Sequence, residues 1–306
     1  MRVEQSLVWR KRLHWEKYLR PQSVAEAIGL LEKHRGEAKI IAGGTDVILQ
    51  IRKGEIEPKV LVDITRIPGL NEIRMEDGQI KIGALVTHTQ VALSPLIRGK
   101  ALALSEGASW LGSPQIRNLG TLAGNIVSGQ PGADTTIPLL ALEANVRVAG
   151  RQGERVVPMT EFFVDTGKTV VDSSREMVTE IFFTPLATGE VSVSLRLARR
   201  KALALPILTV AIVMSADTKQ KKFGGVRIAL GPVATTPFRA RQAEGVLAGA
   251  SISEGIVKEA ARAAAKESNP RSSLVRGSEA YRREMVANLV ERGIHKGLER
   301  LEGKHA

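Results

Sequence analysis

The residues best suited to binding a ligand sit in two glycine turns, Ala42-Gly43-Gly44-Thr45-Asp46 and Gly120-Thr121-Leu122-Ala123-Gly124-Asn125. An apolar stretch leads into each, Ile40-Ile41 before the first and Ile116 before the second. Glycine lets the backbone come close to a ligand, and a sharp bend leaves N–H groups that need partners. Two such turns brought face to face would grip a diphosphate, with Asn118, Thr121 and Asn125 adding neutral donors and acceptors. The stretch from Gly112 to Leu142 holds five glycines and only two formal charges, Arg117 and Asp134, in a chain that is 25% charged. So little charge predicts a buried segment, and the glycines predict irregular backbone in place of helix. Asp134 precedes an expected helix start at Thr135, where it would cap the helix or accept from the sugar hydroxyls of a ligand. Arg117 would pair with Asp134 or hold a phosphate. His88 is expected to be a partly exposed polar side chain and not a catalyst.

Other chemistries are excluded by what is missing. No two glycines are two positions apart, so a GxGxxG dinucleotide fingerprint is impossible. Gly167-Lys168-Thr169 looks like the end of a phosphate-binding loop, but Phe162 occupies the position of its leading glycine. Cysteine is absent, which removes disulfides and thiolate ligation of zinc or an iron–sulfur cluster by this chain. The five histidines are scattered. With no nucleophile placed beside a base, the chain is built to hold a cofactor whose own chemistry matters. The net charge of +12 is dispersed over the N-terminus, Arg196–Lys201, Lys219–Lys222 and the C-terminal helices. Aromatics are only 4% of residues, too few for a base-stacking platform, so no nucleic-acid partner is expected. No apolar run reaches membrane-spanning length, and the basic start lacks a signal-peptide core; a cytoplasmic location is the expectation.

These residues must be positioned by elements that the pattern of side chains predicts. Ser23 to Glu26 has the form of a capping box ahead of an apolar face at Val24, Ala27, Ile28 and Leu31, with Gly36 ending the helix. Strands are expected at 38–41, 60–63, 79–83 and 178–183, with a hairpin closed around Gly150 and Gly153. Helices are expected at 88–96, 101–111 and 135–144. Beyond a linker at 184–189 come β-rich runs at 191–197, 208–215 and 226–230. Helices follow at 237–247, after a capping box at 251–254, and from 278 towards 302. The fold class is α+β. The length of 306 residues predicts two or three domains, and with the linker the division is 1–187, with subdomains of about 15–70 and 71–187, and 188–306.

AGGTD at 42–46, SPQIRNLGTLAGNI from Ser113, PGAD at 131–134, PLLALEA ending at Ala144 and VRGSEAYRRE at 275–284 together resemble the FAD-binding subunit of molybdenum hydroxylases. That group includes the medium chain of carbon monoxide dehydrogenase and the flavin part of xanthine dehydrogenase and aldehyde oxidases. The resemblance implies a vanillyl-alcohol-oxidase-type FAD domain followed by a smaller domain of strands and helices. It implies FAD contacts from Ile41, Ala42, Gly43, Gly44, Thr45, Asp46 and Val47 on one side. Gly120, Thr121, Gly124, Asn125 and Ser128 would line the other, with Asp134 at the ribityl or ribose region and Leu111 and Val178 against the flavin. It implies a molybdenum-cofactor large subunit, a small subunit with two [2Fe-2S] clusters, and NAD, oxygen or a quinone as external acceptor. A self-sufficient FAD oxidase, or a structural subunit without flavin, are the alternatives. Two positions depart from the family pattern. Ala123 stands where a second glycine is usual, and would be strained if φ there were positive. Arg196 stands where a lysine is usual, keeping the charge but changing the hydrogen-bond geometry.

Overall fold

The computed structural model describes residues 14–200 and 203–303; the basic start through Leu13 and Lys201 of the basic run lie outside the described residues. The chain opens with β1 (Lys17–Leu19), α1 (Val24–Lys33), β2 (Ala38–Ile41), α2 (Val47–Lys53) and β3 (Val60–Asp63). β1 and β2 both run parallel to the central β3. Ser23 caps α1 by accepting from the Glu26 amide, and Ala27, Ile28 and Leu31 are buried on the sheet side. The Glu26 carboxylate accepts from the Gln22 amide, one residue before the position a strict capping box uses.

β4 (Ile73–Glu76) and β5 (Gln79–Gly83) start a second sheet. A helical run follows: α3 (His88–Leu93), α4 (Pro95–Lys100), α5 (Leu102–Trp110), α6 (Pro114–Leu119), α7 (Leu122–Val127) and α8 (Thr136–Ala141). Then come β6 (Asn145–Gly150), β7 (Gly153–Pro158), the small pair β8 (Phe163–Asp165) and β9 (Lys168–Thr169), and β10 (Met177–Phe183). The sheet has the order β4-β5-β10-β6-β7. β10 is its middle strand and is buried along its whole length. The expected helix at 88–96 is two helices. Ser94 ends the first and caps the second, and Pro95 takes the first helical position, where its missing N–H costs nothing.

The last block is β11 (Glu190–Ala198), β12 (Pro206–Asp217), β13 (Lys222–Gly231) and β14 (Phe238–Arg239), an antiparallel sheet in chain order, covered by α9 (Arg241–Leu247), α10 (Glu254–Glu267) and α11 (Glu279–Leu301). Ser253, and not Ser251, caps α10 by accepting from the Ile256 amide. Residues 237–240 are not helical: Phe238 and Arg239 pair with β13 before α9 begins. β12 shows the two-faced pattern of a central strand. Leu208, Val210, Ile212 and Met214 face the helices, while Ala211 and Val213 join the core formed by β5, β6, β10 and the helices α3, α4, α5, α7 and α8. Among the described residues no helix is long and apolar enough to cross a membrane.

Candidate functional site

The two glycine turns touch. A β-carbon built on Gly43 would lie 1.8 Å from the Leu119 carbonyl oxygen, so only glycine allows this approach of backbone to backbone. Gly44 adopts φ of 70°, which brings the chain from β2 into α2 within a few residues. The second turn is tied to the connection after β5. The Leu122 amide donates to the Val86 carbonyl at 2.9 Å, and the His88 amide donates to the Gly120 carbonyl at 3.1 Å. Thr121 caps α7, its hydroxyl accepting from the Gly124 amide at 3.0 Å.

A cleft of ≈ 680 Å³ opens beside this junction, within the range of pockets that enclose a cofactor-sized ligand. Its lining includes Ala42, Gly43, Gly44, Thr45, Asp46 and Val47 from the first turn. Gly120, Thr121, Gly124, Asn125 and Ser128 line it from the second, and Leu111, Asp134 and Val178 line it elsewhere. Two of the residues expected at the site are not among the lining. Ile41 is buried beneath the first turn with Ile51 and Leu61. Arg196 stands behind Asp134, its Nε donating to the Asp134 carboxylate at 3.0 Å and its Nη2 to the Ala204 carbonyl.

That ion pair corrects two expectations, Asp134 as a helix cap and Arg117 as its partner. Asp134 is buried, and its Oδ1 also accepts from the Thr209 hydroxyl at 3.2 Å. It makes no cap bond; Thr135 is the N-cap of α8 and makes no side-chain cap bond either. Burial pushes the Asp134 carboxyl above the usual carboxylate range, and Arg196 and Thr209 pull it back. Arg117 instead donates to the Leu111 carbonyl at 2.9 Å, holding the segment that enters α6. The partner of Asp134 lies on β11 of the last sheet, so spacing along the chain carried no sign of it.

The central stretch also differs from expectation in its backbone. It forms three six-residue helices with glycines at the joints, and α6 has no buried residue. Uncharged polar side chains hydrate well enough to lie on a surface: Asn118 accepts from the Thr89 hydroxyl at 2.6 Å. Burial begins at Gly120. Ala123 is inside α7 and is not among the residues of positive φ, so it carries no strain. His88 is the residue that sequence reasoning placed wrongly. It is 1% exposed, lines the cleft, and its Nδ1 is buried without a partner among the described residues. Desolvation lowers its pKa to about 4, helped by the nearby Arg117 guanidinium, so the ring is neutral at pH 7.

Residues 12–185 match the family described as the FAD binding domain in molybdopterin dehydrogenase, and residues 193–296 match the C-terminal domain of the carbon monoxide dehydrogenase flavoprotein. The chain belongs to the FAD-binding subunits of the molybdenum hydroxylase family. The alpha subunit of the 6-hydroxypseudooxynicotine dehydrogenase complex of Paenarthrobacter nicotinovorans is 34% identical to this FAD-binding subunit, covering 92% of this chain and 94% of the relative. The carbon monoxide dehydrogenase medium chain of Hydrogenophaga pseudoflava is 33% identical, covering 91% and 95%. In structure, a chain of the Hydrogenophaga pseudoflava carbon monoxide dehydrogenase lacking the Mo-pyranopterin moiety of its molybdenum cofactor superposes with a TM-score of 0.90 at 32% identity. That match covers 95% of this chain and 99% of the other. The residues present fit FAD. The close approach at Gly43 packs the two glycine turns against each other, so that both present backbone to the same cleft.

Proposed function

We propose that this subunit holds FAD in the cleft with its diphosphate between the two glycine turns, as part of a cytoplasmic molybdenum hydroxylase complex. The observation that carries the reading is the contact of Gly43 with the Leu119 carbonyl, which joins two turns distant in sequence at the mouth of one cleft. The backbone of Gly43–Val47, with the Thr121 and Ala123 amides of the second turn, whose Leu122, Gly124 and Asn125 amides are already bonded, would receive the phosphate oxygens, and Leu111 and Val178 offer apolar surface for the flavin. Ser128 donates its hydroxyl proton to the Asn125 carbonyl at 2.6 Å, and Asn125 accepts from Thr135 at 2.7 Å. Both residues are thus held in place for a ligand to meet. Asp134, fixed by Arg196 and Thr209, would accept from ribityl or ribose hydroxyls. Ile41 and Arg196 act from behind the cleft wall, supporting the first turn and Asp134 respectively. Bound FAD supplies the redox chemistry that the side chains themselves lack.

We place substrate oxidation on a molybdenum-cofactor large subunit, with two [2Fe-2S] clusters on a small subunit carrying the electrons to this chain. The chain has no cysteine to ligate such a cluster itself, which fits that division of labour. The acceptor would be NAD, oxygen or a quinone reaching the open side of the cleft. We read residues 1–187 as a vanillyl-alcohol-oxidase-type FAD domain and 188–306 as a second α+β domain. The test is the visible spectrum of the protein purified with its complex. Flavin bands, with iron and molybdenum present only when the partner subunits are, support the reading; a colourless chain that takes up no FAD ends it.

A further inference from the structure

Arg276 enters the same cleft from the opposite block of the fold. Its Nη2 is 3.5 Å from where a β-carbon on Gly132 would be, with Pro206 and Pro232 beside it. Among the described residues the guanidinium has no carboxylate and no hydrogen-bond acceptor, and its Nε is buried and unpartnered. Other sequestered arginines are treated differently: Arg196 meets Asp134, Arg239 meets Glu244 and Glu143, and Arg300 meets Glu106. Next to Arg276 lies a second uncompensated cation. Arg282 is 3% exposed and spends its terminal nitrogens on the carbonyls of Arg271 and Pro232, with no carboxylate. Burial lowers the pKa of both guanidinium groups, and Arg276 lowers that of Arg282 further. The like charges are held together by a tight turn. Ser273 and Gly277 exchange two backbone bonds of 2.9 Å, the Ser273 hydroxyl accepts from the Arg276 amide at 3.3 Å, and Arg199 donates to the Leu274 carbonyl at 2.8 Å.

Two neighbouring cations without a counter-ion destabilise a fold, unless an anion arrives from outside. We infer that Arg276 is a cofactor-binding residue that takes an anionic oxygen of FAD, at a point of the cleft apart from the glycine turns. The inference rests on the FAD reading above. The oxygen has two possible sources with the same chemistry: a phosphate, or the flavin edge that gains negative charge on reduction. A guanidinium fork suits both.

The test uses purified apo-protein of the wild type, Arg276→Gln, Arg276→Lys and Arg283→Gln, the last removing a half-exposed arginine paired with Glu279 outside the cleft. FAD binding is titrated by flavin fluorescence, the flavin potential is measured, and apo-protein melting is recorded. A tenfold rise in the FAD dissociation constant of Arg276→Gln, with a smaller rise for Arg276→Lys and none for Arg283→Gln, identifies a phosphate contact. A potential about 30 mV lower, the two-electron equivalent of tenfold weaker hold on the reduced form, identifies the flavin edge. In either case the Arg276→Gln apo-protein melts no lower than the wild type, because a like-charge repulsion has been removed. Unchanged FAD affinity and potential in both Arg276 variants, or a melting loss with binding intact, overturns the inference. If the wild type itself binds no FAD, the FAD reading falls, and this inference falls with it.

Discussion

His88 shows how a single residue's chemistry depends on where the fold puts it. Its ring is neutral because it is desolvated, and its pKa of about 4 lies below the ordinary histidine value of 6.5. Between those two pH values the unfolded chain binds a proton that the folded chain does not. Stability from this group is therefore fully present above pH 6.5 and is lost as pH falls towards 4, by an amount on the order of 3 kcal/mol. We predict that His88→Phe flattens the acid side of the stability curve. Urea unfolding of the apo-protein at pH 4.5 and pH 7 measures this, and an unchanged difference between the two pH values would argue against a buried neutral ring. Nothing in the sequence around Thr87-His88-Thr89 marked this burial, because it arises from packing against Gly120, far along the chain. The Asp134–Arg196 pair escaped notice for the same reason: the sequence offered Arg117 as the nearer cation, and the fold brought up a more distant one.

At the scale of elements, some turns and caps are legible because short-range chemistry determines them, while others, such as the cap of α10 at Ser253, are displaced from where the sequence points. Ser23 caps α1, Gly54 ends α2 in the left-handed region, and Ser278 caps α11, all positions at which short-range chemistry decides. The three long strands of the last block followed from their apolar runs, whereas β14 fell in a segment expected to be helical. The central stretch was misread because its glycines were counted as helix breakers throughout. They fall mostly at helix ends, where they cost little, and only Gly124 sits inside a helix. Ala123 is the informative case. In a helix an alanine is favourable, so we predict that Ala123→Gly, which restores the family's usual pair of glycines, destabilises the protein by about 0.5–1 kcal/mol. Its FAD affinity should stay within about twofold of the wild type. Chemical denaturation distinguishes this from the strain hypothesis, under which the variant would be more stable.

Across the whole molecule, the first block and the last are fastened at Glu106 on α5. Its Oε1 receives Arg300 of α11 at 2.5 Å, and its Oε2 accepts from the Ser194 amide of β11 at 2.9 Å. Arg300 also donates to the Ser192 carbonyl. We predict that Glu106→Ala costs about 2–3 kcal/mol in urea unfolding, because a mostly buried guanidinium and an amide lose their acceptor together. A loss under about 0.5 kcal/mol would show the brace to be decorative. The dispersed positive charge is legible in composition alone, yet its use depends on placement: Arg196, Arg239 and Arg300 are paired braces of this kind, and Arg276 in the cleft is not. The central claim is that two turns meeting at Gly43 hold FAD, and Gly43→Ala tests it most directly. The added methyl would collide with the Leu119 carbonyl and push the turns apart. Fluorescence titration of apo-protein with FAD should show tight binding in the wild type and at least tenfold weaker binding in Gly43→Ala, with Gly29→Ala, where a β-carbon meets nothing within 4 Å, as the control. Equal FAD affinity in all three proteins would contradict the account.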